Sequence, residues 1–352
     1  MQYDDKSLNR YLRMVGGSNK AISTQIIKRI DSLKSVSNYK MGILEDLIIK
    51  ICCIADDTDP PFNNRHIYIL AGDHGIYDSL PDSLKSEESI DAVLNIIDKI
   101  SPINVLSNME NFFIKIVDAG MFEDINIDSS DCIENKIRRG TDDCSKGPAM
   151  SREETIRAII NGLELIVEEN TKYAPHIVAL GEIGSGNLFT SALIASDILK
   201  VPVFDLLGDL AVENDKIILN ELIEKSNQKW KDSNQNCDII DLLSYFGGFE
   251  TAAMVGAILG CALVKLPVII DGFAGQVAAL LTDRISEFAV DYMIAGHKSA
   301  VKGSEIILCK LGLTPVLSLN MEMREGTGAV LASRIIEAAI RCYKETGAEI
   351  ID

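Results

Sequence analysis

The chain has 352 residues, 47% hydrophobic and 24% charged, so it can bury a sizeable core and is not intrinsically disordered. Its 52 acidic against 34 basic side chains leave a formal charge of −18, which argues against a nucleic-acid partner, because a phosphate backbone needs clustered Lys and Arg. The length fits either two average domains or one large α/β unit.

The opening segment MQYDDKSLNR carries Asp4 and Asp5 where a secretory signal would be basic and then apolar. Eight cysteines include no C-x-x-C pair, which predicts free thiols in a reducing, cytoplasmic setting. The first 55 residues predict helices, with Ile26, Ile27, Ile30 and Leu33, then Ile43, Leu44, Leu47, Ile48 and Ile51, recurring at helical spacing. The acidic stretch 55–59 before Pro60-Pro61 reads as a solvated loop rather than a Mg²⁺ site.

Beyond it, short apolar runs end in Gly- or Asp-containing turns at 66–75, 113–120, 176–184, 201–209, 266–273 and 314–319. Helical patterns such as Ser151–Asn170 and Thr190–Lys200 lie between most of them. The alternation predicts an α/β fold, a largely parallel sheet covered by helices. Ligands in such sheets sit beyond the carboxyl ends of the strands. The most apolar stretch, Ala252 to Ile270, is broken by Lys265 and Pro267, so it predicts a buried helix and then a buried strand, and no membrane span. The polar stretches 124–131 and 229–236 read as surface loops.

Several turns have the residue types that chemistry needs. GEIGSGN (181–187) follows a strand and precedes a helix, and its glycines suit close approach of an anion to helix N–H groups. It matches neither G-x-G-x-x-G nor a Walker A box, so an ordinary strand–helix turn is an equal reading. REGTGA (324–329) repeats the arrangement, with Glu325 either a helix-cap carboxylate or a general base. The 136–154 segment ends in a Ser151-x-x-Glu154 capping box, and its Lys136, Arg138, Arg139 and Lys146 either attract an anion or form a solvated loop. His74, at a predicted strand end, reads first as a hydrogen-bonded structural histidine.

Taken in order, the segments GDHGI (72–76), DAGM (118–121), RRGTDDCSKGPAMSREE (138–154), GEIGSGN, NDK (214–216), GGFETAAMVGAILG (247–260), PVIIDGF (267–273), IAGHKSA (294–300) and MREGTGA (323–329), with 30–47 before them, resemble the nicotinate-nucleotide–dimethylbenzimidazole phosphoribosyltransferase family. The resemblance implies a Rossmann-like catalytic domain over 61–320. Residues 1–60 and 321–352 would pack together as a small helical part, and the chain would form a homodimer or a heterodimer with a paralogous subunit. It also implies phosphoribosyl transfer from nicotinate mononucleotide to an aromatic base, with no metal and no cofactor. Glu325 matches the family's catalytic glutamate and Glu182 a second active-site glutamate. Gly184, Ser185, Gly186 and Asn187, with Gly326, Thr327 and Gly328, match the phosphate and nucleotide turns, and Lys216 a phosphate-binding lysine. Asp82, Ser86 and Asp91 fall where the base pocket is expected.

The chain departs from the family pattern at 34–42, at 77–95 and at Leu188-Phe189, which are expected to crowd the phosphate turn. The departures at 77–95 leave the acceptor open among benzimidazoles, purines and phenols. With Leu188 and Phe189 they also leave a second reading, a catalytically weak structural subunit of a heterodimer.

Overall fold

The computed structural model describes residues 3–37, 40–85, 89–125, 131–233 and 237–346. Six strands form one sheet: β1 (Arg65–Gly72), β2 (Phe112–Gly120), β3 (Cys132–Glu134), β4 (Ile177–Ile183), β5 (Val268–Ile270) and β6 (Met293–Ala295). Every neighbouring pair is parallel, and the order is β3-β2-β1-β4-β5-β6. This is the doubly wound Rossmann order, whose ligand crevice opens where the winding reverses, here between β1 and β4.

All eight residues of β1 are buried, as its near-continuous apolar run requires of a strand covered on both faces. The helices are α1 (Asp5–Leu12), α2 (Ser23–Ser37), α3 (Ile43–Ala55), α4 (Ser89–Ile97), α5 (Pro102–Glu110), α6 (Arg152–Tyr173), α7 (Asn187–Leu199), α8 (Val203–Leu207), α9 (Lys216–Ser233), α10 (Ile239–Phe246), α11 (Phe249–Leu263), α12 (Gly272–Ile285), α13 (Gly303–Leu311) and α14 (Thr327–Glu345).

Alternate strand residues sort onto the two faces. Tyr68, Leu70, Val178 and Leu180 pack with α6, α7, α11 and α12. Ile67, Ile69, Ala71, Ile177 and Ala179 pack with α3, α4, α5 and α14. A smaller cluster joins the chain ends, with Ile26, Ile30, Ile48 and Cys52 against Ala339 and Tyr343. The central helix α11 is buried almost throughout. It lies so close to α6 that a methyl group on Gly162 or Gly256 would strike the other helix's carbonyls, at Ala253 or Ile159. No helix among the described residues is long and apolar enough to cross a membrane, and all eight cysteines are free thiols.

Two predicted strands are not strands. In 201–209, Pro202 precedes α8, whose buried Val203, Leu206 and Leu207 follow helical spacing. In 314–319 a single bridge joins Leu317 to His297, and Pro315 has no N–H to extend the ladder. Conversely, β3 and β6, at three residues each, are too short for their pattern to stand out. The polar stretch at 229–236 is helical through Ser233, because Trp230 anchors α9 against Tyr245 and Phe246 with ring centroids 5.2 and 5.7 Å away.

The Ser151–Glu154 capping box forms as read from the sequence. The basic loop does not offer free charge. Lys136 pairs with Asp118 and Asp124, Arg138 with Asp142 and Glu154, Arg139 with Asp124, and Lys146 with Asp143.

Candidate active site

A cavity of about 450 Å³ opens beyond the carboxyl ends of the strands. Its floor is the β4–α7 turn, with Glu182, Ile183, Gly184, Gly186, Asn187 and Leu188. One wall is the β5–α12 turn from Asp271 to Ala274, and another is the loop from Met321 to Gly326 that leads into α14. His297 and Ser299 follow β6, and Ser83, Leu84, Lys85, Ser89, Ala92 and Pro102 close the remaining side.

Glu182 is the last-but-one residue of β4. Its carboxyl is pushed up to about 7, first by burial and then by the Glu250 and Asp271 carboxylates, against an opposing pull from Arg324. Asn187, at the start of α7, donates its side-chain N–H to the Glu182 Oε2. A carboxyl held near neutrality can keep or release a proton at working pH.

Glu325 enters the same cavity from the loop before α14, and the Ser101 hydroxyl donates to its Oε2. Arg324, Glu325 and Gly326 all have left-handed backbones, with φ of 59°, 58° and 85°. Non-glycine residues held this way are strained by roughly 1–3 kcal/mol each, so the loop has a demanding, defined course. That course depends on Gly181. A Cβ there would lie 2.6 Å from the Glu325 carbonyl oxygen and 2.9 Å from the Gly326 nitrogen. Gly181 therefore lets the Glu325 peptide rest on β4 one residue before Glu182. Gly181→Ala is expected to lower turnover by at least about 100-fold while the melting temperature falls only a few degrees; steady-state kinetics and calorimetry on the same preparation check this.

The structure distributes the other expected site residues unevenly. Gly184, Gly186, Asn187 and Gly326 line the cavity. Ser185 is buried beneath it, its amide donating to Ser89 Oγ at 2.9 Å and its hydroxyl 3.0 Å from the same oxygen. Thr327 is buried and its hydroxyl donates back to the Arg324 carbonyl at 2.9 Å. Gly328 serves packing, since a Cβ there would run into the Asp271 and His297 side chains.

Lys216 is not brought to the cavity. It begins α9 on the surface, with its ammonium 2.5 Å from Glu213 Oε2. Asp82 and Asp91 are exposed and do not line the cavity, and the lining from that region comes instead from Ser83, Leu84, Lys85, Ser89 and Ala92. Ser86 lies outside the described residues. Leu188 lines the cavity, but Phe189 does not crowd it: on a helix consecutive side chains diverge, and Phe189 is fully buried in the core.

Three participants escape a reading by spacing alone. Asp271 ends the 266–273 run, and His297 sits after a strand too short to notice. Their Oδ1 and Nδ1 atoms are 2.7 Å apart. Burial opposes charge on His297, and the Asp271 carboxylate overcomes it and raises the imidazole above its usual 6.5. Ser101 N-caps α5 in front of Pro102, which the Ser-Pro pair signals as a helix start. Nothing in the sequence connects it to Glu325. No group of three or more His, Cys, Asp or Glu side chains among the described residues is arranged to hold a metal ion.

A family model described as Phosphoribosyltransferase matches residues 15–349. A nicotinate-nucleotide–dimethylbenzimidazole phosphoribosyltransferase from Clostridium acetobutylicum is 32% identical over 349 residues, covering 97% of this chain and 96% of its own. One of the same name from Ruminiclostridium cellulolyticum is 34% identical over 320 residues, covering 91% and 90%. The crystal structure of a protein of that name from Thermus thermophilus superposes with a TM-score of 0.85 at 25% identity, over 94% of this chain and 98% of that one. Strand order, the two-carboxylate cavity and end-to-end likeness all agree: the chain belongs to the nicotinate-nucleotide–dimethylbenzimidazole phosphoribosyltransferase family.

Proposed function

We propose that the chain transfers the 5-phosphoribosyl group from nicotinate mononucleotide to an aromatic lower-ligand base, giving an α-riboside phosphate for cobamide synthesis. The observation that carries this reading is the convergence of Glu182 and Glu325 on one cavity, from a strand end and a strained loop that touch through Gly181.

The donor's pyridinium nitrogen is already cationic. When its bond to C1′ breaks, the electron pair neutralises it and nicotinate leaves without needing a general acid. A nitrogen or oxygen of the acceptor forms the new bond to C1′ from the opposite face. The acceptor's proton passes to Glu325, the general base. Positive charge building on the ribose is stabilised by the acidic lining, Glu182 and Asp271 foremost. The phosphate meets the glycine turns at 184–187 and 326–328, where α7 and α14 present their N-termini. The ammonium of Lys216 is held on Glu213, so the turns take the larger part. Leu84, Ala92, Pro102, Leu188 and Met323 give the acceptor an apolar slot, which suits a benzimidazole, purine or phenolic ring.

The alternative of a weak structural subunit drew on the rewritten 77–95 region and on Leu188 and Phe189. With Phe189 buried in the core, its support reduces to 77–95 and Leu188. A homodimer or paralogous heterodimer in the cytoplasm remains part of the proposal. A crystal of the protein with nicotinate mononucleotide tests it: the ribose is expected between Glu182 and Glu325 with its phosphate at 184–187. A phosphate bound elsewhere would overturn the assignment.

A further inference from the structure

Directly behind the Gly184–Asn187 turn lies a buried polar array none of whose residues lines the cavity. His74 follows β1 and is 1% exposed, as is Glu250 in the first turn of α11. The His74 Nε2 is 2.8 Å from Glu250 Oε1, and its Nδ1 is 3.1 Å from the Thr190 hydroxyl. That hydroxyl also donates to the Asn187 carbonyl at 3.1 Å. The His74 backbone N–H donates to the Ser185 carbonyl at 3.0 Å, and a Cβ on Gly186 would stand 3.1 Å from the His74 Cβ. His74 thus meets the Gly184–Asn187 turn at Ser185 and Gly186 directly and at Asn187 through Thr190. Glu250 is fixed in its turn by the Thr251 hydroxyl at 2.7 Å and by the amino end of α11. Gly72 and Gly248 leave room for it, since a Cβ at either would strike its Oε2.

We infer that His74, held by Glu250, is a positioning residue for Glu182: it locks the 184–187 turn in the geometry in which Asn187 grips the glutamate. The path is short and made of stated contacts, His74 to Thr190 to Asn187 to Glu182. Neither His74 nor Glu250 lines the cavity, so neither touches substrate. The pair also sets charge. Glu182 is faced by Glu250, Asp271 and Arg324, and Glu250 is the largest of those three influences, holding its proton on. His74 is faced by Glu250, Asp73 and Glu182; burial disfavours its charge, and those carboxylates together raise it above 6.5.

Two readouts separate this role from simple support of the fold, and one needs no substrate. The first is the Glu182 titration, followed by carbon NMR of labelled glutamate in the free protein and assigned with Glu182→Gln. Glu250→Gln keeps an acceptor for His74 and removes the charge, and should lower the Glu182 value by about one unit. The second depends on the proposed reaction. His74→Ala should lose about 100-fold in kcat and raise the donor KM as well, since the 184–187 turn also takes the phosphate in the proposed reaction, and His74→Asn, whose amide can reach Thr190, should recover part of both losses. If Glu250→Gln does not fold, the wild-type imidazole decides: His74 should titrate above 6.5. An unmoved Glu182 titration, or His74 titrating at its ordinary value, would overturn the inference. A protein that shows these titrations yet never consumes nicotinate mononucleotide would overturn the proposed reaction instead.

Discussion

Glu325→Gln is expected to lower kcat by about 10²–10⁴-fold, the usual contribution of a positioned general base, and to leave the melting temperature nearly unchanged. The side chain is only partly buried, and Ser101 can still donate to the amide oxygen, so packing loses little. What disappears is the acceptor for the proton that the incoming base must release. The donor KM should hold within about twofold if, as proposed, the phosphate meets the 184–187 and 326–328 turns and not this carboxylate. Steady-state kinetics with circular dichroism on both proteins checks the split. A variant that turns over normally would remove Glu325 from the chemistry, whatever its place in the cavity.

Glu182→Gln is expected to stabilise the protein above pH 7 while it abolishes most activity. The folded-state value of about 7 lies above the usual 4.5. Between those two values the folded chain keeps a proton that the unfolded chain has released. Stability therefore falls as pH rises through that window and stays reduced above it. The difference of some 2.5 units corresponds to about 3 kcal/mol at most. Glutamine has no charge to desolvate, so the variant should escape that cost at pH 8.5 and show little change at pH 4. Urea unfolding at the two pH values measures it. Equal stability of both proteins across the range would mean that the carboxyl titrates normally and that its surroundings do not hold it protonated. The reading also places the acid limb of kcat/KM near 7, where Glu182 changes charge.

Much of the fold was legible because it is written in long, strongly apolar runs. The strands β1, β2, β4 and β5 follow from 66–75, 113–120, 176–184 and 266–273, each ending in a polar turn. The errors have common physical causes. A run such as VPVFDLLGD contains both a strand-like apolar block and the i, i+3, i+4 spacing of a helix, and Pro202 tips it to the helix. Three-residue strands such as MIA (293–295) carry no periodicity at all. Lys229–Ser233 reads as loop from its polar residues, yet one buried side chain, Trp230, outweighs them and holds the segment in α9.

For the site, the residues that act through their place in a turn were readable, as GEIGSGN and REGTGA show. Partners that act through distance in space were not. Ser101 stands 224 residues before Glu325, and Asp271 and His297 follow different strands. The basic loop at 136–154 stayed open between two readings for the complementary reason. Its cations are conspicuous along the chain, while the carboxylates that neutralise them arrive partly from elsewhere, Asp118 and Asp124 among them.

The proposed reaction moves a phosphoribosyl group between two aromatic bases in the Glu182–Glu325 cavity of this chain. The most direct test incubates the purified protein with nicotinate mononucleotide and, in turn, a benzimidazole, a purine and a phenol, measuring free nicotinate and the riboside phosphate by mass spectrometry and proton NMR. One nicotinate should be released for each α-riboside phosphate formed, with at least one acceptor, and both signals should be lost in Glu325→Gln. No nicotinate release with any acceptor from folded, ligand-free protein, or release that Glu325→Gln leaves intact, would contradict it.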